Sequence, residues 1–301
     1  MHYKHFWLLA IAFLLNTTYT FAQAVKISGK VLDTTTQQPV PYANIGIAGK
    51  EIGTVANNSG EFSFKVDTKD LPSSGSIIVS CVGYESIELP ININASKPYL
   101  VELKQESFNI AEVSIKPRKL KKKVLGKNDR EYLTSTLFFT VYDEVDDKLG
   151  RELGNIIKLS GQECLVKDFN FYINHNQFER IKLRLNLYAV VDGLPDKSIL
   201  NQDIIFELGD KQKGWVTLDL QKYNISMEGM EEVAVTIQWL ESKQHKPDQK
   251  FMTLSGALTV PKRYVRREKS EAEWTRTGAY LSMYLNADCY KPDNDARVTV
   301  Q

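Results

Sequence analysis

Apolar and polar positions alternate with a period of two from Val25 to about residue 115. "VKISGKV" sets Val25, Ile27 and Val31 on one face, with Gly29 where a further side chain would stand. "ANIGI", "EFSFKV", "SIIVSC" and "YLVEL" repeat the alternation, and the intervening "TTTQQPVP", "ANNSG" and "LPSSG" are rich in turn formers. Short strands at regular spacing predict a β-sandwich. In "IGTVANNSGEFSF", Asn57, Asn58 and Gly60 are the residues that reach positive φ most easily, as a tight reversal between twisted strands requires. Phe62 and Phe64 then point into the core.

The same period returns after residue 133. "STLFFTV", "DFNFYI", "WVTLDL", "EVAVTIQW" and "YLSMYL" read as strands. In "RIKLRLNL", Ile181, Leu183, Leu185 and Leu187 alternate with Lys182, Arg184 and Asn186, so one face is expected buried and the other wet. At least seven strands with this patterning predict a jelly-roll or related sandwich. A helix is a candidate near "KLGRELGNIIKL", though its glycines weaken it. The expected fold class is therefore all-β: two β-sandwiches, at 23–105 and 133–301, joined by a basic linker at 106–132.

The first 22 residues change the compartment. "MHYKHFWLLAIAFLLNTTYTFA" has a positive start at Lys4, an apolar run from Phe6 to Leu15 and small residues before the cut. This is the build of a secretory signal peptide, too short in its apolar run to span a bilayer. Export to the periplasm, outer membrane or cell surface is expected, without a lipid anchor, because no cysteine lies near the cut. The net charge is +1, and loss of Lys4 leaves the rest balanced, so nucleic acid is not an expected partner. Within the linker, "KPRKLKKKVLGKNDR" carries eight basic residues against Asp129. It reads first as a solvated, self-repelling connector, and second as a peripheral contact with an anionic surface through Lys116, Arg118, Lys119, Lys121, Lys122 and Lys123. Cys81 alternates with Ile77 and Val79 and reads as a small core hydrophobe. Spacing leaves open whether Cys164 and Cys289 pair.

The set "ISGKVLD", "PVPYANIGI", "GTVANNSGEFSF" and "VGYES" resembles the carboxypeptidase-like regulatory domain, a transthyretin-like (prealbumin-like) sandwich. The matching residues are Gly29, Val31, Ala43, Ile45, Gly53, Thr54, Asn58, Gly60, Phe62, Gly83 and Tyr84. The resemblance implies a non-catalytic module of peptidases, surface proteins and outer-membrane receptors. "FNIAEVSIKP" is similar to the segment that follows this module in TonB-dependent receptors, but the chain is too short for their barrel. The C-terminal half resembles an uncharacterised secreted jelly-roll-like domain, a likeness that brings no residue roles.

Little in the sequence supports catalysis. Once the leader's His2 and His5 are set aside, His175 and His245 remain, both read as loop residues, and neither a zinc-peptidase pair nor a nucleophile elbow is present. Two candidate features survive. "YDEVDD" offers Asp143, Glu144, Asp146 and Asp147 as a candidate turn for a structural calcium ion, the one cofactor considered. Tyr188, Tyr280 and Tyr284, with Tyr290, are candidate ligand-facing aromatics for stacking on sugar rings. The expected function is a non-enzymatic, secreted binding or scaffold module of a Gram-negative envelope, with an envelope protein or glycan as partner. The alternatives are an accessory subunit of a TonB-dependent receptor, and a glycoside hydrolase using two carboxylates on a jelly roll.

Overall fold

A computed structural model of the chain describes residues 24–72, 75–92, 97–106, 120–129, 135–140 and 148–290. The leader, Asp143, Glu144, Asp146, Asp147 and the basic residues Lys116, Arg118 and Lys119 lie outside the described residues. Almost all regular structure is strand, as the alternation predicts. Among the described residues no helix is long and apolar enough to cross a membrane.

The N-terminal sandwich contains β1 (Ala24–Asp33), β2 (Asn44–Ile47), β3 (Gly53–Val55), β4 (Glu61–Asp67), β5 (Ser76–Ser80), β6 (Ile87–Pro90) and β7 (Tyr99–Leu103). One sheet runs β4-β1-β7, with β7 parallel to β1, and the other runs β3-β2-β5-β6. Val31, Ile45, Phe62, Ile77, Val79 and Val101 fill the space between them, with the Cys81 side chain among them. Burial pushes the Cys81 thiol up to about 11, as expected for a core hydrophobe.

Two features of this sandwich explain its sequence signature. Gly29 lies opposite Phe62, and a Cβ there would come within 2.6 Å of the Phe62 ring and 2.5 Å of the Tyr99 carbonyl oxygen. The missing side chain is thus the space the phenylalanine fills. Asp33 accepts hydrogen bonds from the Thr36 and Thr35 backbone N–H groups, the Gln105 amide and the Tyr84 hydroxyl. That ties the end of β1 to the Gly-Tyr pair. In the β3–β4 hairpin only Gly60 takes positive φ (72°). Asn57 contributes instead through its side chain, accepting the N–H groups of Ser59 and Glu61.

The C-terminal sandwich begins with β8 (Leu120–Gly126), β9 (Ser135–Thr140), β10 (Glu152–Lys158), β11 (Cys164–Asn176) and β12 (Phe178–Val191). It continues with β13 (Leu194–Ser198), β14 (Ile204–Leu208), β15 (Gly214–Asp219), β16 (Ser226–Met227) and β17 (Glu232–Gln244). It ends with β18 (Met252–Leu258), β19 (Tyr264–Arg267), β20 (Thr275–Thr277), β21 (Ala279–Leu281) and β22 (Met283–Tyr290). A seven-stranded sheet, β13-β12-β17-β10-β19-β20 with β14 on β12, packs against an eight-stranded one. The latter runs β21-β18-β11-β22-β8, with β15 and β16 on β11 and β9 on β18. Phe169, Phe171 and Ile173 meet Leu183, Leu185, Val235 and Ile237 between the sheets. Each fully buried aliphatic side chain there contributes roughly 1.5–3 kcal/mol. Trp239 is enclosed by Phe139 and Phe178, each with its ring centre 5.2 Å away.

Two expectations change here, and one open pairing is decided. The candidate helix is strand β10: a Cβ on Gly154 would lie 2.0 Å from the Val235 carbonyl oxygen, so this glycine serves close strand approach. Residues 120–126, read as linker, form β8 and pair with β22, with Lys122 opposite Asp288. Cys164 and Cys289, directly opposite in β11 and β22, form a disulfide across a sequence separation of 125.

The face of β12 expected to be wet is instead covered by the N-terminal sandwich. Arg184 is fully buried and Asn186 nearly so. The Arg184 guanidinium donates from Nε and Nη2 to the two Asp203 carboxylate oxygens at 2.7 Å, and from Nη2 to the Tyr42 carbonyl at 2.9 Å. Gln238 donates to Asn44 Oδ1 at 2.8 Å, Tyr42 to Glu241 at 2.9 Å, and Ser80 to Glu271 at 2.6 Å. Strand β2 is buried along its whole length because Ile45 and Ile47 face its own core while Asn44 and Gly46 face the other sandwich. A Cβ on Gly46 would stand 2.1 Å from the Ser270 carbonyl oxygen, which shows how closely the two backbones approach.

Candidate ligand-binding face

With one face of the seven-stranded sheet against the core and the other under the N-terminal sandwich, the outer face of the eight-stranded sheet is, among the described residues, open along β15 and partly open along β22, while Thr253 and Ser255 of β18 are buried. Alternation places its side chains. Because Phe169, Phe171 and Ile173 point inward along β11, Asp168, Asn170 and Tyr172 point out. The same logic brings Trp215 and Thr217 of β15 and Tyr284 and Asn286 of β22 to this face. The Trp215 ring meets Tyr172 and Tyr284 edge to face, each at 5.3 Å between centres. Trp215 remains 39% exposed, unusual enough for a tryptophan to mark the row.

Polar groups sit directly beside these rings. Thr217 donates to Asn170 Oδ1 at 2.6 Å, and the amides of Asn286 (2.8 Å) and Asn170 both donate to Asp168 Oδ1. Burial, then the Asp168 charge, raises the Tyr284 hydroxyl above its ordinary range, keeping it protonated. Next to the row lies a hollow of about 530 Å³ lined by Lys122, Val124, Lys167, Asp168, Asn286 and Asp288. Lys167 is held by Asp288 at 3.3 Å. Aromatic surface beside fixed amide and carboxylate groups suits a ligand with one apolar and one hydroxyl-rich face.

Of the aromatics singled out from sequence, Tyr284 belongs to this row and Tyr290 lies further along the same face of β22. Tyr280 takes other neighbours: its ring lies under the Lys127 ammonium, 5.3 Å from the centre, beside a hollow between β8 and β10. Tyr188 is buried, on the other sheet from this row. Its hydroxyl donates to Glu152 Oε1 at 3.0 Å, and its ring meets Trp274. The reason is Glu152, which is wholly buried and needs donors. Asn186, Tyr188 and Thr236 serve one oxygen, while Arg267 Nε and Nη2 serve the other at 2.9 and 2.7 Å. Every lone pair of this carboxylate that matters is taken, which marks a structural ion pair. Burial, followed by the Glu152 charge, pushes the Tyr188 hydroxyl well above its usual range.

Sequence reasoning missed Trp215 and Tyr172. Both were visible as aromatics on the polar side of an alternating strand, Trp215 in step with Thr217 and Tyr172 flanked by Phe171 and Ile173. His175, read as a loop residue, closes β11 and is half-buried, which lowers its pKa. His245 contacts Asp210 at 2.6 Å. Among the described residues no three His, Cys, Asp or Glu side chains are placed to hold a metal ion. Of the six cations assigned to an anionic surface, Lys121, Lys122 and Lys123 are described, all on β8. Lys121 and Lys122 are exposed, and Lys123 bonds Gln162.

Comparison with known proteins bears on the two halves unequally. The TonB-dependent receptor SusC of Bacteroides thetaiotaomicron is 34% identical over 84 residues, which cover 28% of this chain and 8% of that receptor. The cysteine protease and lectin-like domains of Cwp84 from Clostridium difficile align over 88% of this chain and 58% of theirs, at 8% identity and a TM-score of 0.34. The T13 particle structure of infectious bursal disease virus aligns over 92% of this chain and 64% of its own, at 9% identity and a TM-score of 0.25. Likenesses at that level carry no argument about either sandwich. Residues 27–115 match the family model of the CarboxypepD_reg-like domain, and the N-terminal sandwich, with its Gly29–Phe62 and Asp33–Tyr84 pairs, is a domain of that family.

Proposed function

We propose that this protein is a non-catalytic binding module of the bacterial envelope, in which the C-terminal sandwich takes a glycan and the N-terminal one supports it. The observation that carries this reading is the Tyr172–Trp215–Tyr284 row beside Asp168 and Asn286, with the buried Asn170 fixing Asp168 and Thr217 beneath it. A pyranose has an apolar face that stacks on aromatic rings and equatorial hydroxyls that bond amides and carboxylates. The regulatory family of the first sandwich and its similarity to a receptor's N-terminal region favour the envelope as the setting. A glycan array probed with the full chain tests the reading. Retention of particular polysaccharides without their cleavage supports it; turnover of a polysaccharide, abolished by removing a carboxylate, overturns it in favour of a glycoside hydrolase.

A second reading rests on the 84-residue similarity to SusC: the chain serves as an accessory subunit of a TonB-dependent receptor. Co-purification of a barrel protein from detergent extracts supports that reading, and a clean monomer counts against it.

A further inference from the structure

At one end of the C-terminal sandwich the β18–β19 loop meets the β12–β13 hairpin, and aliphatic side chains stand in solvent. Val260 is 97% exposed and Leu258 76%; the hairpin adds Val191 at 53% and Leu194. The two turns form one surface. Arg276 donates from Nε to the Lys262 carbonyl at 2.6 Å and from Nη1 to the Gly193 carbonyl at 2.9 Å. The loop base is fixed by the Thr259 N–H, which donates to the Gly278 carbonyl at 2.9 Å. Val124, half exposed, continues the surface through a hollow of about 380 Å³ that it shares with Lys127, Lys158, Thr259, Arg263 and Tyr280.

The charges around these tips are mostly of one sign. Lys262, Arg263 and Arg276 flank Val260, with Lys127 and Lys158 behind them. On the acidic side, Asp129 is paired with Lys127 at 3.0 Å, Glu232 lies opposite Lys158 in the β10–β17 register, and Asp192 sits at the hairpin tip. Exposed apolar patches mark interaction sites. Here the exposed apolar groups stand at the tips of two neighbouring turns joined by Arg276, among basic side chains. That arrangement fits a fluid surface that closes around the tips, with phosphates level with the cations.

We infer that this pole seats peripherally on an anionic phospholipid surface, with Val260 and Leu258 entering the boundary between headgroups and acyl chains. The pole shares Val124 with the hollow beside the aromatic row but none of the row's own rings, and the two readings are tested by different variants.

The test is co-sedimentation of the full chain with phosphatidylcholine vesicles, with and without phosphatidylglycerol, at low and high salt. The expected result is partition onto the phosphatidylglycerol vesicles only, weakened by salt. Replacing Val260→Asp should weaken it about tenfold or more, and Lys262→Glu by about fivefold or more. Because Val260 is in solvent, both variants should melt as the parent does. A Val260→Trp variant should shift its emission to the blue with the anionic vesicles alone, and Trp215→Ala should partition unchanged. No sedimentation, equal binding to neutral vesicles, or V260D and K262E binding like the parent would each overturn the inference.

Discussion

The Arg184 guanidinium, wholly inside the protein, donates to the Tyr42 carbonyl oxygen at 2.9 Å, so a side chain of the second sandwich holds the turn that opens β2 in the first. The same group is clamped by Asp203 through two 2.7 Å bonds. Removing one partner of a buried pair leaves the other uncompensated. Arg184→Ala should therefore cost about 3 kcal/mol, at the lower end for buried pairs because Asp203 is 24% exposed and water relieves part of its charge. Scanning calorimetry is expected to show the two sandwiches melting together in the parent and separately in the variant. A variant with one unchanged transition would mean that the contact does not couple them.

The disulfide between Cys164 and Cys289 closes a loop of 125 residues across neighbouring strands. Chain-entropy reasoning gives such a crosslink about 5 kcal/mol through the unfolded state. Reduction, or the double change Cys164→Ser and Cys289→Ser, should lower the melting temperature of the C-terminal sandwich by roughly 10 °C or more. Equal melting with and without reductant would contradict this.

Asp33 supplies a pH dependence whose sign follows from its partners. The Thr36 backbone N–H, then the Gln105 amide, lower its pKa from 3.8 to about 2. A folded pKa below the unfolded one stabilises the protein above 3.8, and that contribution disappears as pH falls through about 2. Urea midpoints taken between pH 5 and pH 2 should fall more steeply for the parent than for Asp33→Asn. Parallel curves would show that Asp33 is not linked to folding.

Much of the fold is legible as alternation, and its failures have physical causes. The faces of β12 and β17 that carry Leu183, Leu185, Val235 and Ile237 are apolar in sequence and buried in the protein. Arg184 and Asn186 look like surface residues because nothing local to β12 reveals that another sandwich lies over them; burial between domains is a long-range property. Gly154 suggested an interrupted helix when it actually admits the β17 backbone. The aromatic site was half visible. Tyr284 could be read from its strand, but its grouping with Trp215 and Tyr172 depends on the pairing of β11 with both β15 and β22, which one strand's pattern does not encode.

The most direct measurement is calorimetric titration of a retained polysaccharide into the parent protein and into Trp215→Ala. Each stacked ring is expected to contribute about 1 kcal/mol beyond the area it buries. The variant should therefore lose fivefold or more in affinity, by about that energy, while its circular dichroism stays with the parent's and its melting temperature falls by roughly the few degrees that two lost edge contacts cost. Undiminished affinity in Trp215→Ala, and again in Tyr284→Ala, would contradict the account and move the ligand surface elsewhere on the molecule.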